Sequence, residues 1–122
     1  SQEETRRKDT MAKFPILPLM TDALIADTTH MTTEEFGAYV KILIAMWRNG
    51  AWLLDNDEEL ALITGLSLSR WLALEGKVRR PMLSVDGRLT QKKMTEAWNK
   101  VQKLQVQRVL AGKARWRPKG DA

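Results

Sequence analysis

The stretch of sequence that most restricts the fold runs from residue 60 to residue 71 and reads LALITGLSLSRW. Gly65 permits a left-handed turn between two helices, and Ser67 is a residue type that caps helix N-termini. Leu66 lies between them, placed to fill the angle where the helices meet, and Trp71 follows at an inward-facing position. The pattern predicts a helix-turn-helix-like segment. The alternative is an ordinary short helix pair in a helical domain.

A β-hairpin is predicted directly after the second of these helices. Asp86 and Gly87 separate two short runs of β-type composition, residues 82–85 and 88–90. A type I′ turn needs positive φ at both central residues, and Asp-Gly is a pair that supplies them. A hairpin in this place would be the wing of a winged helix-turn-helix.

The helix before this segment has the clearest start in the chain. Thr32 and Glu35 form the capping-box pattern, in which each side chain bonds the backbone amide of the other residue. Apolar residues then recur at helical spacing, and Gly50 follows as a stop. The expected inward face is Phe36, Tyr39, Val40, Leu43, Met46 and Trp47. Gly37 and Ala38 are small, so another backbone is expected to pack closely there.

The segment upstream of that helix contains two prolines, Pro15 and Pro18. They disfavour a helix, because proline lacks the amide proton and restricts the residue before it. The segment is therefore expected to be extended and to cross the core. A short helix over residues 22–28 is expected next, with Leu24 and Ile25 facing inward.

A long helix is predicted from residue 91 to about residue 111, and its packed face is expected to be Met94, Ala97, Val101 and Leu104. The predicted organisation is a flexible N-terminal arm (1–13), a winged-helix-like domain that includes this helix (14–111) and a basic tail (112–122). The fold class is mainly α with a small β-hairpin. Its winged helix-turn-helix-like core is followed by a long C-terminal helix.

Composition and charge restrict the environment and the partners. The 122 residues include no cysteine and 43% hydrophobic residues, which fits one folded domain in a reducing compartment. There is no apolar run of about 18 residues and no signal-type N-terminus, so no membrane contact and a cytoplasmic location are expected. Residues 66–122 carry 14 basic and 4 acidic side chains, a net +10, whereas residues 32–65 are net −4. This asymmetry favours a polyanionic partner.

The residues that catalysis requires are scarce. His30 is the only histidine, and it has neither a cysteine nor a Gly-x-Ser-x-Gly motif to accompany it. The acidic run at residues 55–59 lacks the spacing of a calcium loop and is better explained as the start of a helix. No enzymatic activity, metal or cofactor is therefore expected.

The second helix of the helix-turn-helix segment places Arg70, Lys77 and Arg80 on one face. The first turn of a recognition helix enters the major groove, so Arg70 is the candidate for base contact, and the other two suit phosphate. Trp116, between two arginines, is a candidate for base stacking. The complete set of predicted nucleic-acid contacts is Ser67, Ser69, Arg70, Lys77, Arg80, Arg88, Lys92, Lys93, Arg115, Trp116 and Arg117. Leu68 and Leu72 interrupt the polar surface and would suit a protein contact instead.

Several motifs together resemble a known family. They are ADTTHMTTEEFGAY at 26–39, WRNG at 47–50, ITGLS at 63–67, DGRL at 86–89 and AGKARW at 111–116. They resemble a phage- and prophage-encoded family of unknown function that is often labelled YdaU-like. The resemblance implies proteins encoded in phage replication regions near helicase loaders, some of them labelled replisome organisers or winged-helix replication proteins.

The function predicted from these observations is a non-catalytic nucleic-acid-binding module that acts in DNA replication initiation or transcriptional regulation. Duplex DNA is the expected ligand, with single-stranded DNA and RNA left open. The alternative is a protein-interaction adaptor that recruits a helicase loader, a polymerase or a second copy of itself. In that reading the long last helix could form a homodimer, although Arg108 interrupts its apolar repeat.

Overall fold

In the computed structural model, which describes residues 13–115, five helices and three short strands follow one another. The helices are α1 (Thr21–Thr28), α2 (Thr33–Arg48), α3 (Asp57–Thr64), α4 (Leu68–Arg79) and α5 (Lys92–Arg115). The strands are β1 (Leu53–Leu54), β2 (Leu83–Val85) and β3 (Arg88–Thr90). This confirms the predicted fold class, mainly helical with a small hairpin and a long C-terminal helix. Nearly all of the predicted arm, together with Trp116 and Arg117, lies outside the described residues.

The predicted helix-turn-helix segment forms α3, a short turn and α4. Gly65 adopts a φ of 76° and ends α3, because its left-handed conformation turns the chain while its amide bonds the carbonyls of the last turn. The Ser67 hydroxyl accepts a 3.2 Å hydrogen bond from the amide of Arg70 and caps α4. Leu66 packs against the core, and Trp71 is completely buried. All four sequence predictions for this segment are confirmed.

Helix α2 starts with the predicted capping box. The Thr32 amide donates to the Glu35 carboxylate at 2.7 Å, and the Glu35 amide donates to the Thr32 hydroxyl at 3.2 Å. The buried face of the helix comprises Glu35, Ala38, Tyr39, Ile42, Leu43, Met46 and Trp47. Phe36 was expected there but is 38% exposed, because it sits in the first turn at the edge of that face. The close packing expected at Gly37 and Ala38 is wrong for Gly37, since a Cβ there would meet nothing within 4 Å, whereas Ala38 is buried in the core.

The three strands form one antiparallel sheet in the order β1-β3-β2. Asp86 and Gly87 have φ angles of 53° and 75°, as the predicted type I′ hairpin requires. Strand β1 was not predicted, because two residues are too few to show an alternating pattern. Its Leu53 pairs with Leu89, and both are buried.

The N-terminal segment and the first half of α5 close the core from one side. The Phe14 ring lies 4.8 Å from the Trp98 ring, and the Trp47 indole N–H donates to the Phe14 carbonyl at 2.7 Å. In α1, Leu24 packs on the core as expected, but Ile25 is exposed. Helix α5 continues through Gly112, four residues beyond its predicted end. Across residues 13–115 there is no helix long and apolar enough to cross a membrane.

Candidate nucleic-acid interface

Helix α4 has one buried face and one that is largely open to solvent. Trp71, Leu74 and Val78 recur at helical spacing and are buried in the core. The exposed positions include the predicted contacts Ser69, Arg70 and Lys77, and Arg80 at the C-cap, together with Leu68 (41% exposed) and Leu72 (49%). The structure therefore leaves the predicted reading surface of α4 uncovered, and two leucines are part of it.

Arg70 already has a partner within the protein. Its guanidinium is ion-paired with the Glu34 carboxylate in the first turn of α2, although both side chains remain about half exposed. The hydrogen bond to Glu34, and then its negative charge, raise the pKa of Arg70 above its usual range. A DNA phosphate or base edge would have to compete with this carboxylate for Arg70.

The C-terminal half of α4 lies beside the turn that joins α1 to α2. The Nε2 of His30 donates a 2.8 Å hydrogen bond to the backbone carbonyl of Lys77. This bond satisfies one of the carbonyls that the last turn of a helix leaves without a partner, so His30 has a structural contact. The pKa of Glu35 is lowered mainly by the backbone amide of Thr32, with a smaller contribution from the charge of Lys77.

The hairpin contributes one stacked cation. The Arg88 guanidinium lies 4.0 Å from the centre of the Trp52 ring, a cation–π arrangement that holds it on the outer face of the sheet. Val85 is opposite Arg88 on β2 and Leu54 is opposite it on β1, and both are exposed. The structure thus places the half-buried Trp52 ring under Arg88.

The remaining predicted contacts lie on α5. Lys92 and Lys93 are exposed in its first turn, close in sequence to the hairpin. Arg115 is the last residue of the helix, at the far end from Lys92. The structure therefore places the described candidates on and beside three elements, α4, β3 and α5. Hydrogen bonds join Ser67 to Ser69 and to the Arg70 amide at the start of α4.

The sequence analysis missed a cluster of charges centred on Arg79. Its guanidinium bonds the carboxylates of Asp55 at 2.6 Å and Asp57 at 2.9 Å, and it also pairs with Glu75 one turn earlier. The indole N–H of Trp71 donates to the same Asp57 oxygen at 2.9 Å. Arg79 is therefore occupied by three carboxylates and is not available to a polyanion.

Comparison with known proteins places the chain in a family. The profile of a family described as "Protein of unknown function (DUF1376)" matches residues 15–98. The chain belongs to the DUF1376 family. The prediction of a YdaU-like domain is confirmed by a relative in Escherichia coli K12, "Uncharacterized protein YdaU", which is 35% identical over 65 residues. That match covers 53% of this chain and 22% of the relative, so the chain matches less than a quarter of YdaU. A comparison of the chain with the solved structures found no match.

The part of the chain that matches DUF1376 contains most of the described candidate site. Residues 15–98 include α4, the hairpin, the Arg79 cluster and the first turns of α5. They do not include the second half of α5. The DUF1376 domain is thus the unit that carries the candidate nucleic-acid surface on α4 and β3.

Proposed function

We propose that this DUF1376 domain is a non-catalytic module that binds duplex DNA in replication initiation or transcriptional regulation. The observation that carries the proposal is the capped helix pair followed at once by a hairpin, with an uncovered α4 surface. In this arrangement α4 lies against the groove, and the hairpin and the start of α5 lie on the flanking phosphates. The net +10 charge of residues 66–122 supports a polyanionic ligand.

The surface of α4 suits phosphate contact better than base recognition. The hydroxyl of Ser67 is used as the helix cap, and Leu68 and Leu72 occupy positions where polar donors would be needed. Ser69 and Arg70 are left as candidates for base edges, whereas Lys77 and Arg80 are exposed cations. We therefore propose binding that depends strongly on salt and weakly on sequence.

Reversing two charges on α4 tests the proposal. The Lys77→Glu/Arg80→Glu variant is expected to bind a labelled duplex about tenfold or more weakly, with a salt slope smaller by about two, because two phosphate contacts are lost. Fluorescence anisotropy at two salt concentrations measures both quantities, with single-stranded DNA and RNA as parallel ligands.

The matched control is Lys103→Glu/Arg108→Glu, which makes the same charge change on exposed positions of α5. It is expected to weaken binding much less. An equal loss in both variants would mean that net charge, not α4, determines binding. No binding of any of the three ligands to the parent at low salt would refute the proposal.

Releasing Arg70 from Glu34 is expected to strengthen binding. Glu34→Gln removes the competing carboxylate, and because an exposed ion pair contributes little, affinity should rise by less than about fivefold. The control is Glu58→Gln, an equal charge change at an exposed position on α3. If the two variants increase affinity equally, Arg70 is not a contact.

The exposed Leu68 and Leu72 favour a second candidate function, an adaptor that recruits a replication or transcription protein such as a helicase loader or a polymerase. A Leu68→Ser/Leu72→Ser variant tests it, because both changes lie at the surface and leave the core unaltered. The adaptor proposal expects a host partner that is captured by the parent after nuclease treatment and is lost in this variant. Capture of nucleic-acid-dependent species alone would count against it.

A further inference from the structure

The hairpin formed by β2 and β3 is joined to α4 by a short connection. Residues 80–82 separate the end of α4 from β2, and the Met82 amide donates a 2.8 Å hydrogen bond to the Arg79 carbonyl. Met82 and Leu89 are buried and anchor part of the hairpin on the core. Every residue from 83 to 88 is exposed, so burial contributes little to holding the outer part of the hairpin.

Asp55 bonds this outer part of the hairpin at two points. Its backbone amide donates a 2.9 Å hydrogen bond to the carbonyl of Gly87 in the turn, and its carboxylate oxygen Oδ2 accepts from the Ser84 hydroxyl on β2. Ser84 is opposite the buried Leu89 of β3, so it lies on the inner face of the sheet. Asp55 directly follows β1, which itself pairs with β3. This residue thus holds both the turn and β2.

The other carboxylate oxygen of Asp55 bonds α4. Oδ1 accepts a 2.6 Å hydrogen bond from the guanidinium of Arg79, the last residue of that helix. An ionised carboxylate suits this position because it has two acceptor oxygens and no donor, so each oxygen can accept from a different element. The side chains of Asp55 and Arg79 are 18% and 24% exposed, so the pair is partly shielded from solvent. A single side chain therefore joins α4 to the hairpin.

The candidate interface depends on this connection because its cations lie on both elements. Lys77 and Arg80 are at the C-terminal end of α4, and Arg88 is on the outer face of β3. A three-residue connection alone would act as a hinge, whereas a second point of attachment restricts the orientation of the hairpin. A binding surface that is already ordered loses less conformational entropy when the ligand binds.

We propose that Asp55 is the positioning residue of this interface. By bonding α4 and the hairpin at once, it holds the hairpin in one orientation, so that Arg88 and the cations of α4 meet a duplex together. In this role, which rests on the proposed function, Asp55 does not touch DNA. Its contribution is to the order of the free protein, and this distinguishes it from the residues proposed to contact phosphate.

Two substitutions separate the hydrogen bonds of Asp55 from its charge. Asp55→Ala and Asp55→Asn both remove one negative charge, which by itself favours a polyanionic ligand. An asparagine oxygen can accept from Arg79 while its amide nitrogen donates to the Ser84 hydroxyl, so Asp55→Asn is expected to bind a labelled duplex at least as tightly as the parent. Asp55→Ala loses both bonds and is expected to bind about threefold or more weakly, in spite of its favourable charge. Fluorescence anisotropy measures both affinities, and circular dichroism verifies folding.

Ser84→Ala tests the connection in the free protein. It removes one hydroxyl at an exposed position, so the core is unaltered and folding is retained. The reporter is the Asp55 amide, whose hydrogen bond to Gly87 should open more often, so its hydrogen exchange by NMR is expected to be about fivefold or more faster than in the parent. The Trp71 amide, which is bonded at the start of α4, is the reference and should exchange at an unchanged rate. Ser84→Thr keeps the hydroxyl and is expected to restore the parent rate.

The two measurements can fail separately. Equal affinity of Asp55→Ala and Asp55→Asn for the duplex would show that the hydrogen bonds do not position the interface, and would overturn the proposal. An Asp55 amide that exchanges equally fast in the parent and in Ser84→Ala would overturn the connection itself, whether or not DNA binds. A parent that binds no duplex would refute the proposed function, and with it the role of Asp55 in binding, even where the exchange rates show that Asp55 holds the hairpin.

Discussion

Replacing Trp71 with alanine is expected to lower the free energy of unfolding by about 3–5 kcal/mol, the range for truncating a large buried aromatic side chain. Trp71 is completely buried in the core formed by α2, α3 and α4. Its indole N–H bonds Asp57, and the Arg79 guanidinium lies 5.8 Å from its ring. Urea denaturation followed by circular dichroism measures the change.

Two further substitutions separate the contributions to this effect. Trp71→Phe retains much of the packing but loses the hydrogen bond to Asp57, so a smaller loss of about 1–3 kcal/mol is expected. Trp52→Ala removes a tryptophan that is only half-buried on the sheet, and it should be better tolerated. A loss below about 1 kcal/mol for Trp71→Ala would show that this side chain does not organise the core.

The Arg79→Met variant is expected to lose about 2–3 kcal/mol near pH 7, because Asp55 and Asp57 lose a charged hydrogen-bond donor. For Asp57, the Trp71 indole and then Arg79 lower the pKa of the carboxyl. For Asp55, burial alone would raise the pKa, but hydrogen bonds from Ser84 and Arg79 outweigh burial and leave it lowered.

These pKa shifts determine how the effect depends on pH. A carboxyl whose pKa is lowered in the folded state contributes stability above its unfolded pKa of about 4, and this contribution is lost as the pH falls through the folded value. The difference between parent and Arg79→Met should therefore shrink on acidification. Urea denaturation of both proteins at about pH 7 and about pH 3 measures this difference in the free energy of unfolding. A difference of equal size at both pH values would contradict the role of these carboxylates.

The control for this prediction is the neighbouring residue. Arg80→Met removes the same charge from an exposed position, so its effect on stability should stay within about 0.5 kcal/mol. Comparing Arg79→Met with Arg80→Met also separates the roles of these two adjacent arginines. Arg79 holds α4 to the start of α3, whereas Arg80 is proposed to contact phosphate.

Sequence alone determined the local structure. The capping box of Thr32 and Glu35, the left-handed turn at Gly65, the cap at Ser67 and the Asp86-Gly87 hairpin were all predicted and are all present. Each of these signals lies within a few consecutive residues, because a cap or a tight turn is a contact between near neighbours in the chain. The family could also be recognised, since its motifs are short runs of this kind.

Tertiary structure alone decided which side chains are free and which are occupied. Arg70 meets Glu34 across 36 residues, and Arg79 meets Asp55 across 24, so no local pattern distinguishes either arginine from the free cation Arg80. The two-residue strand β1 exists because β3 pairs with it, not because of its own pattern. The exposure of the second half of α5 likewise depends on where the core ends: Leu104 continues the apolar spacing of Met94, Ala97 and Val101 and was predicted to pack, but it is 43% exposed. The physical reason is the same in each case: burial and ion pairing are set by elements that are distant in sequence, whereas helix caps and turns are set by neighbours.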